Sequence, residues 1–163
     1  MSDSSWIAVE RFLAREALHL DNRDWDSWLA LYSEQAEYWV PAWADDGATT
    51  QDPSTEISLI YYPNRAGLED RVQRVRSGTS AAANLETRTC HDFKLLAVNE
   101  QPDGRLSVRS NWQVHAYVAR QVRVSFGWAD YLLEPAAGGF QIVKKRTVLL
   151  NDIADTVMDF YLM

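Results

Sequence analysis

Cysteine is almost missing from this chain: one residue, Cys90, stands among 163. No disulfide can form within the chain, which suits a reducing cytoplasm. The same scarcity removes whole classes of metal chemistry. An iron–sulfur cluster needs several thiolates, and even a Rieske centre needs a pair of cysteines and a pair of histidines. A Cys-rich structural zinc site is equally out of reach. Histidine is nearly as scarce, with only His19, His91 and His115. None of them sits at the short spacing of a paired metal ligand. There is no Gly-rich phosphate loop and no G-x-S-x-G elbow. Basic charge is also in deficit, with 16 Lys and Arg against 23 Asp and Glu, a net charge of −7 and a pI near 4.9. That balance argues against nucleic acid and anionic membranes as partners. No apolar run approaches membrane-spanning length. The opening M-S-D-S-S-W lacks a basic and then apolar leader, so no secretory signal is expected. Repeats, linkers and low-complexity stretches are absent too, and the expectation is a single domain over 1–163.

What is present is apolar and aromatic. Hydrophobic residues make up 47% and aromatics 12%, including seven Trp and seven Tyr. That is material for a real core and for broad covered surfaces. Ser4 or Ser5 is placed to cap a first helix, along which Trp6, Val9, Leu13, Ala17 and Leu20 form one stripe. Asp21-Asn22-Arg23 breaks it. Asp24 caps a short second helix with Trp25, Trp28, Leu29 and Tyr32 on one face. Ala36–Ala42 reads as a strand, and Pro41 suggests an edge. Trp43–Thr55 is a loop. Ile57–Tyr62, an unbroken β-branched and aromatic run, reads as a buried strand. Pro63 stops it, Asn64 caps a third helix carrying Leu68, Val72 and Val75, and Gly78 ends it. Arg65, Arg71, Arg74 and Arg76 crowd that helix, and the ordinary reading is a solvated face. Ser77–Asn84 is small and polar, a further loop.

The second half changes period from helical to alternating. Thr87–Val98, Arg105–Ala119, Gln121–Leu133 and Phe140–Leu150 read as long strands. Turns at Asn99, Pro102, Asp103 and Gly104, and at Pro135, Gly138 and Gly139, separate them. Leu106, Val108, Trp112, Val114, Ala116 and Val118 share a face. Val122, Val124, Phe126, Trp128 and Leu132 share another, which is expected to point inward, with Gly127 as the place for a bulge. Helices first and a curved antiparallel sheet second make an α+β domain. A helix pair closing a curled sheet resembles the NTF2-like (cystatin-like) cone, a fold that hosts enzymes and assembly domains alike.

Two residues stand out as candidate chemistry. His91 alternates with Phe93, Leu95 and Ala97 on an apolar face. Asp130 falls on the expected inner face of its strand, where a carboxylate is costly unless paired. Together in a cone they would make a general acid–base pair. His19 and His115 read as structural and solvated residues. Cys90 beside His91 is not a dyad, since adjacent strand residues point to opposite faces.

The segment E-I-S-L-I-Y-Y-P-N-R-A-G-L-E-D-R-V-Q-R-V-R-S-G from Glu56 resembles the small (β) subunit of aromatic-ring-hydroxylating dioxygenases, closest to the benzoate and anthranilate type. So do W-D-S-W-L-A-L-Y, A-E-Y-W-V-P-A-W, R-T-C-H-D from Arg88 and V-K-K-R-T-V-L-L-N-D from Val143. The resemblance departs at Cys90 and Asp92, where Ser and Asn are expected. It implies an α+β NTF2-like cone with no catalytic, cofactor-binding or metal-binding residue. The Rieske 2Fe–2S cluster and mononuclear Fe(II) would lie in a partner large subunit. The assembly would be an α3β3 hexamer with contacts among small subunits, served by a reductase, and its product a cis-dihydrodiol. On that reading Arg65, Arg71 and Arg74 are candidates for charge pairing across an interface. The alternatives are a stand-alone dehydratase or isomerase using Asp130 and His91, and a purely binding module of the same fold.

Overall fold

The structure, a computed structural model, describes residues 3–78, 87–151 and 159–163. Most of the loop expected over Ser77–Asn84 lies outside these residues. Helix α1 (Asp3–Asp21) turns Val9, Phe12, Leu13, Glu16 and Leu20 inward at helical spacing. Ser4 and Ser5 lie inside its first turn rather than before it. Arg23, at φ 56, reverses the chain. Asp24 then caps α2 (Trp25–Leu29), its carboxylate accepting from the Ser27 N–H at 3.3 Å.

Strand β1 (Tyr32–Pro41) starts earlier than the residue pattern suggested. The cause is a long-range contact: the Leu31 carbonyl accepts from the Ile142 N–H at 2.8 Å and draws the chain into the sheet. The Tyr32 ring still lies 5.0 Å from Trp28. The sheet order is β2-β1-β6-β5-β4-β3. Strand β1 is therefore interior, correcting the edge inferred from Pro41. It runs parallel to β6 (Gly139–Leu149) and antiparallel to β2 (Ser58–Tyr62). Pro41 is the last residue of β1 and sits at a register shift, where a missing N–H breaks no regular ladder. The sheet is thus mixed rather than wholly antiparallel.

The edge on this side is β2, with β3 at the other end of the sheet, and β2 is not the buried strand expected. Only Ile60 and Tyr62 pack on the core, while Ile57 is 78% exposed. Helix α3 (Arg65–Arg76) follows, with the Asn64 side chain accepting from the Ala66 N–H at 3.0 Å. Leu68, Val72 and Val75 are buried beneath it, each worth about 1.5–3 kcal/mol of removed apolar surface. Gly78, at φ 68, supplies the left-handed stop.

Strands β3 (Arg88–Glu100), β4 (Leu106–Val118), β5 (Gln121–Ala136) and β6 form an antiparallel meander. Strand β4 alternates as expected, burying Leu106, Val108, Ser110, Trp112, Val114 and Ala116. Strand β5 faces the opposite way from the expectation. Its buried residues are Gly127, Ala129, Tyr131 and Leu133. Register decides this: Trp112 pairs with Gly127, Ser110 with Ala129 and Val108 with Tyr131, and directly opposed residues share a face. No bulge forms at Gly127; the shifts fall between Leu95 and Ala97 and between Leu132 and Leu133. Gly127 answers a close approach instead, since a Cβ there would collide with the Val148 carbonyl oxygen.

The concave side of the sheet is covered by α1, which packs on β3, and by a terminal 3-10 turn, Phe160–Leu162. Phe160, Tyr161, Leu162 and Met163 are all buried. Phe160 stacks on Trp28 with ring centroids 4.6 Å apart. The result is the α+β cone with a filled interior.

Candidate functional site

A site in a cone would be built where helix α1 faces the sheet, and polar groups do meet there. Glu16 occupies the inner stripe of α1 and is 3% exposed. Its Oε1 accepts from the Lys145 Nζ and the Tyr32 hydroxyl, both at 2.7 Å, and its Oε2 from the Tyr131 hydroxyl at 3.1 Å. Burial pushes the Glu16 carboxyl up, but the Lys145 charge and these hydrogen bonds outweigh it and hold it below its ordinary value. Burial, then the Glu16 charge, drives the Tyr32 and Tyr131 phenols well up. Both Glu16 oxygens accept from other members and the Lys145 ammonium donates to Glu16, so the cluster binds helix to sheet.

The second polar group joins α1 to β3. Asp21 Oδ1 lies 2.5 Å from His91 Nδ1 and accepts from the Thr89 hydroxyl at 2.8 Å; its Oδ2 accepts from the His91 N–H at 3.1 Å. Burial raises the Asp21 carboxyl, and the His91 and Thr89 hydrogen bonds lower it further than that. So His91 is inward and paired, as its strand pattern implied, but with Asp21. Asp130 is on the other side of the sheet. There it takes the Arg109 fork at 2.6 and 2.7 Å, with Arg146 3.8 Å away. The Asp130–His91 acid–base pair does not exist, because the facing of β5 is the reverse of the one that suggested it.

The interior leaves little room. A cavity of about 40 Å³ lies among Leu13, Glu16, Leu20, His91, Trp112, Tyr131 and Met163. That suffices for a few waters; an apolar cavity that takes benzene measures about 150 Å³. The remaining histidines are scattered: His19 pairs with Asp24 at 3.4 Å, and His115 is exposed on the outer face of β4. Cys90 is exposed on β3. Among the described residues no group of three or more His, Cys, Asp or Glu converges on a point. These donors do not fit a Rieske cluster or a mononuclear iron. Nor is any described helix long and apolar enough to cross a membrane.

Three arginines of α3 bond to groups of their own chain. Arg71 forks onto Asp159 at 2.9 Å for both bonds, and the Asp159 hydrogen bond holds the guanidinium above its ordinary value. Arg65 meets Glu69 at 2.8 Å and donates to the Tyr32 carbonyl at 3.0 Å; Arg76 meets Asp26 at 2.8 Å. Arg65 and Arg71 thus have bonding partners within the chain itself. Residue patterns passed over Glu16, Lys145, Asp21 and Asp159. A signal existed for Glu16, which stands three residues after Leu13 and four before Leu20, inside the apolar stripe.

Comparison with known proteins agrees along almost the whole chain. The family described as "Ring hydroxylating beta subunit" matches residues 15–156. The chain is 42% identical over 157 residues to the toluate 1,2-dioxygenase subunit beta of Pseudomonas putida, covering 96% of this chain and 97% of that one. It is 40% identical over 161 residues to the anthranilate 1,2-dioxygenase small subunit of Acinetobacter baylyi, covering 99% of each. The crystal structure of the beta subunit of benzoate 1,2-dioxygenase from Burkholderia mallei superposes with a TM-score of 0.80 at 37% identity, covering 95% of both. With its α+β cone, its filled interior and this full-length similarity, the chain belongs to the family of small (β) subunits of aromatic-ring-hydroxylating dioxygenases.

Proposed function

We propose that this chain, acting as one domain over 1–163, is the non-catalytic subunit of the terminal oxygenase component of a Rieske non-haem iron dioxygenase. It contributes no catalytic, cofactor-binding or metal-binding residue. A large partner subunit carries the Rieske 2Fe–2S cluster and the mononuclear Fe(II), and a reductase supplies electrons. The two subunits assemble as an α3β3 hexamer in which small subunits also touch. The reaction served is cis-dihydroxylation of an aromatic carboxylate of the benzoate or anthranilate type, in cytoplasmic aromatic catabolism. The observation that carries this reading is similarity along almost the entire chain to small subunits of toluate and anthranilate dioxygenases. The interior supports it, since about 40 Å³ is too little for an aromatic ring. The single exposed Cys90 fits a reducing compartment.

Co-expression with a Rieske-bearing large subunit tests the reading. A stable complex with oxygenase activity is expected, while the chain alone is colourless, free of iron by metal analysis and inactive. Recovery of an active chain without a partner would sink it.

A further inference from the structure

The outer face of the sheet carries an apolar knob at one end and a groove with apolar walls at the other. The knob is Ile57, just before edge strand β2, with exposed Leu59 two residues on. The segment bearing it is braced. Glu56 Oε2 accepts from the Gln51 and Asp52 N–H groups at 2.6 and 2.7 Å, and the Thr50 hydroxyl donates to the Ile57 carbonyl at 2.9 Å. Ile57 is thus held out in water by a built turn, with the Glu56 charge beside it.

The groove, of about 500 Å³, opens across β3, β4 and β5. Phe126 and Leu150 are its exposed apolar walls, and Asp92, Lys94, Asn111 and Gln113 are its polar rim. Val124 and Val122 carry the apolar surface on towards the hairpin tip. Knob and groove cannot meet within one chain. Strands β2 and β4 stand four intervals apart in the sheet order, or about 19 Å. The volume exceeds one aliphatic side chain, so the groove has room for Ile57 and Leu59 together. Lys94, on a rim it shares with Asp92, makes no ion pair among the described residues and is the cation available to Glu56, which travels with the knob.

We propose that the Ile57 corner of one copy of this chain seats in the Phe126–Leu150 groove of a second copy, with Glu56 meeting Lys94. The proposal rests on the reading of the chain as a subunit and adds which surfaces its copies use. Knob and groove are different parts of the chain, so the contact is head-to-tail, and such contacts close into rings when the rotation permits.

Sedimentation velocity on the full chain is the first test. The unmodified chain self-associates. Ile57→Lys and Lys94→Glu each weaken association about tenfold or more, with melting temperatures little changed because both side chains are at the surface. Proximity is tested with the native thiol: Cys90 lies on β3 two residues from Asp92, on the outer side of the strand. A short bismaleimide should join Ile57→Cys to Cys90 of a neighbouring copy, and the product should vanish when Cys90→Ser is added. A chain that stays monomeric, association unchanged in both charge variants, or cross-linking that survives Cys90→Ser overturns the proposal. Capture of the large subunit is scored separately. Variants that associate normally but lose the large subunit would assign this face to that partner and overturn the proposal, leaving the subunit reading intact. A chain that captures no large subunit defeats that reading, whatever its own copies do.

Discussion

Glu16 and Lys145 show how one buried pair is judged by what surrounds it. The Lys145 and Glu16 side chains are only 6% and 4% exposed, and removing one partner leaves an uncompensated charge. Glu16→Gln should cost about 3–5 kcal/mol by urea denaturation. The pH dependence has a definite sign. The Glu16 and Asp21 carboxyls are held below their ordinary values of 4.5 and 3.8. The unfolded chain therefore takes up protons first as the pH drops. The stability they add is fully present above about pH 4.5 and is lost as the pH falls through their folded values. Urea midpoints should be flat from neutral pH down to about 5 and then fall, less steeply in Glu16→Gln. Gly127 is a second single-residue constraint. Gly127→Ala would press a methyl against the Val148 carbonyl, a backbone atom that cannot swing aside. It should destabilise by about 1–3 kcal/mol or more through overpacking, read as a lowered melting temperature. That glycine was visible in the sequence, but its reason was not. A bulge and a close approach leave the same letter, and only the path of β6 distinguishes them.

At the scale of elements, local chemistry was legible and facing was not. Asn64 and Asp24 cap their helices as their residue types require, and Gly78 takes the left-handed stop. Strand β5 misled because both of its faces are apolar. Val122, Val124 and Phe126 look like core but stay wet, while the small Gly127 and Ala129 go inside to admit Trp112. A period of two gives two faces and does not say which is buried. The facing of β5 was settled by its register with β4, a long-range fact. The C-terminal turn was missed for a similar reason, since nothing in Asp159–Met163 announces that α3 will hold it. Yet Arg71 forks onto Asp159, which is completely buried and also caps the turn through the Phe160 N–H at 2.9 Å. Arg71→Ala should strand that carboxylate at a cost of about 3–5 kcal/mol. The turn should then release from Trp25 and Trp28, so carboxypeptidase should trim the variant faster than the unmodified chain under native conditions.

For the whole molecule, the question is where the chemistry resides, and Asp130 decides it experimentally. Its carboxylate lies on the outer sheet face against Arg109, both partners partly exposed. Surface pairs of this kind contribute about 0–1 kcal/mol, so Asp130→Asn should fold and assemble normally. The candidate site was legible in the sequence only as two unusual residues, His91 and Asp130. Their separation was not legible, because it follows from the reversed facing of β5. If the chain serves a partner that holds the irons, the reconstituted oxygenase should turn over at the same rate with Asp130→Asn as without it. Losing a general acid or base costs about 10²–10⁴-fold in rate. A fall of that size with the complex intact would place proton transfer in this subunit after all. His91→Gln belongs beside it as a control. It removes the imidazole contact to Asp21, one of the three that tie α1 to β3, so it should lower the melting temperature while leaving turnover per intact complex unchanged. A variant that keeps its stability but loses turnover would be the opposite pattern, and it would point back into the cone.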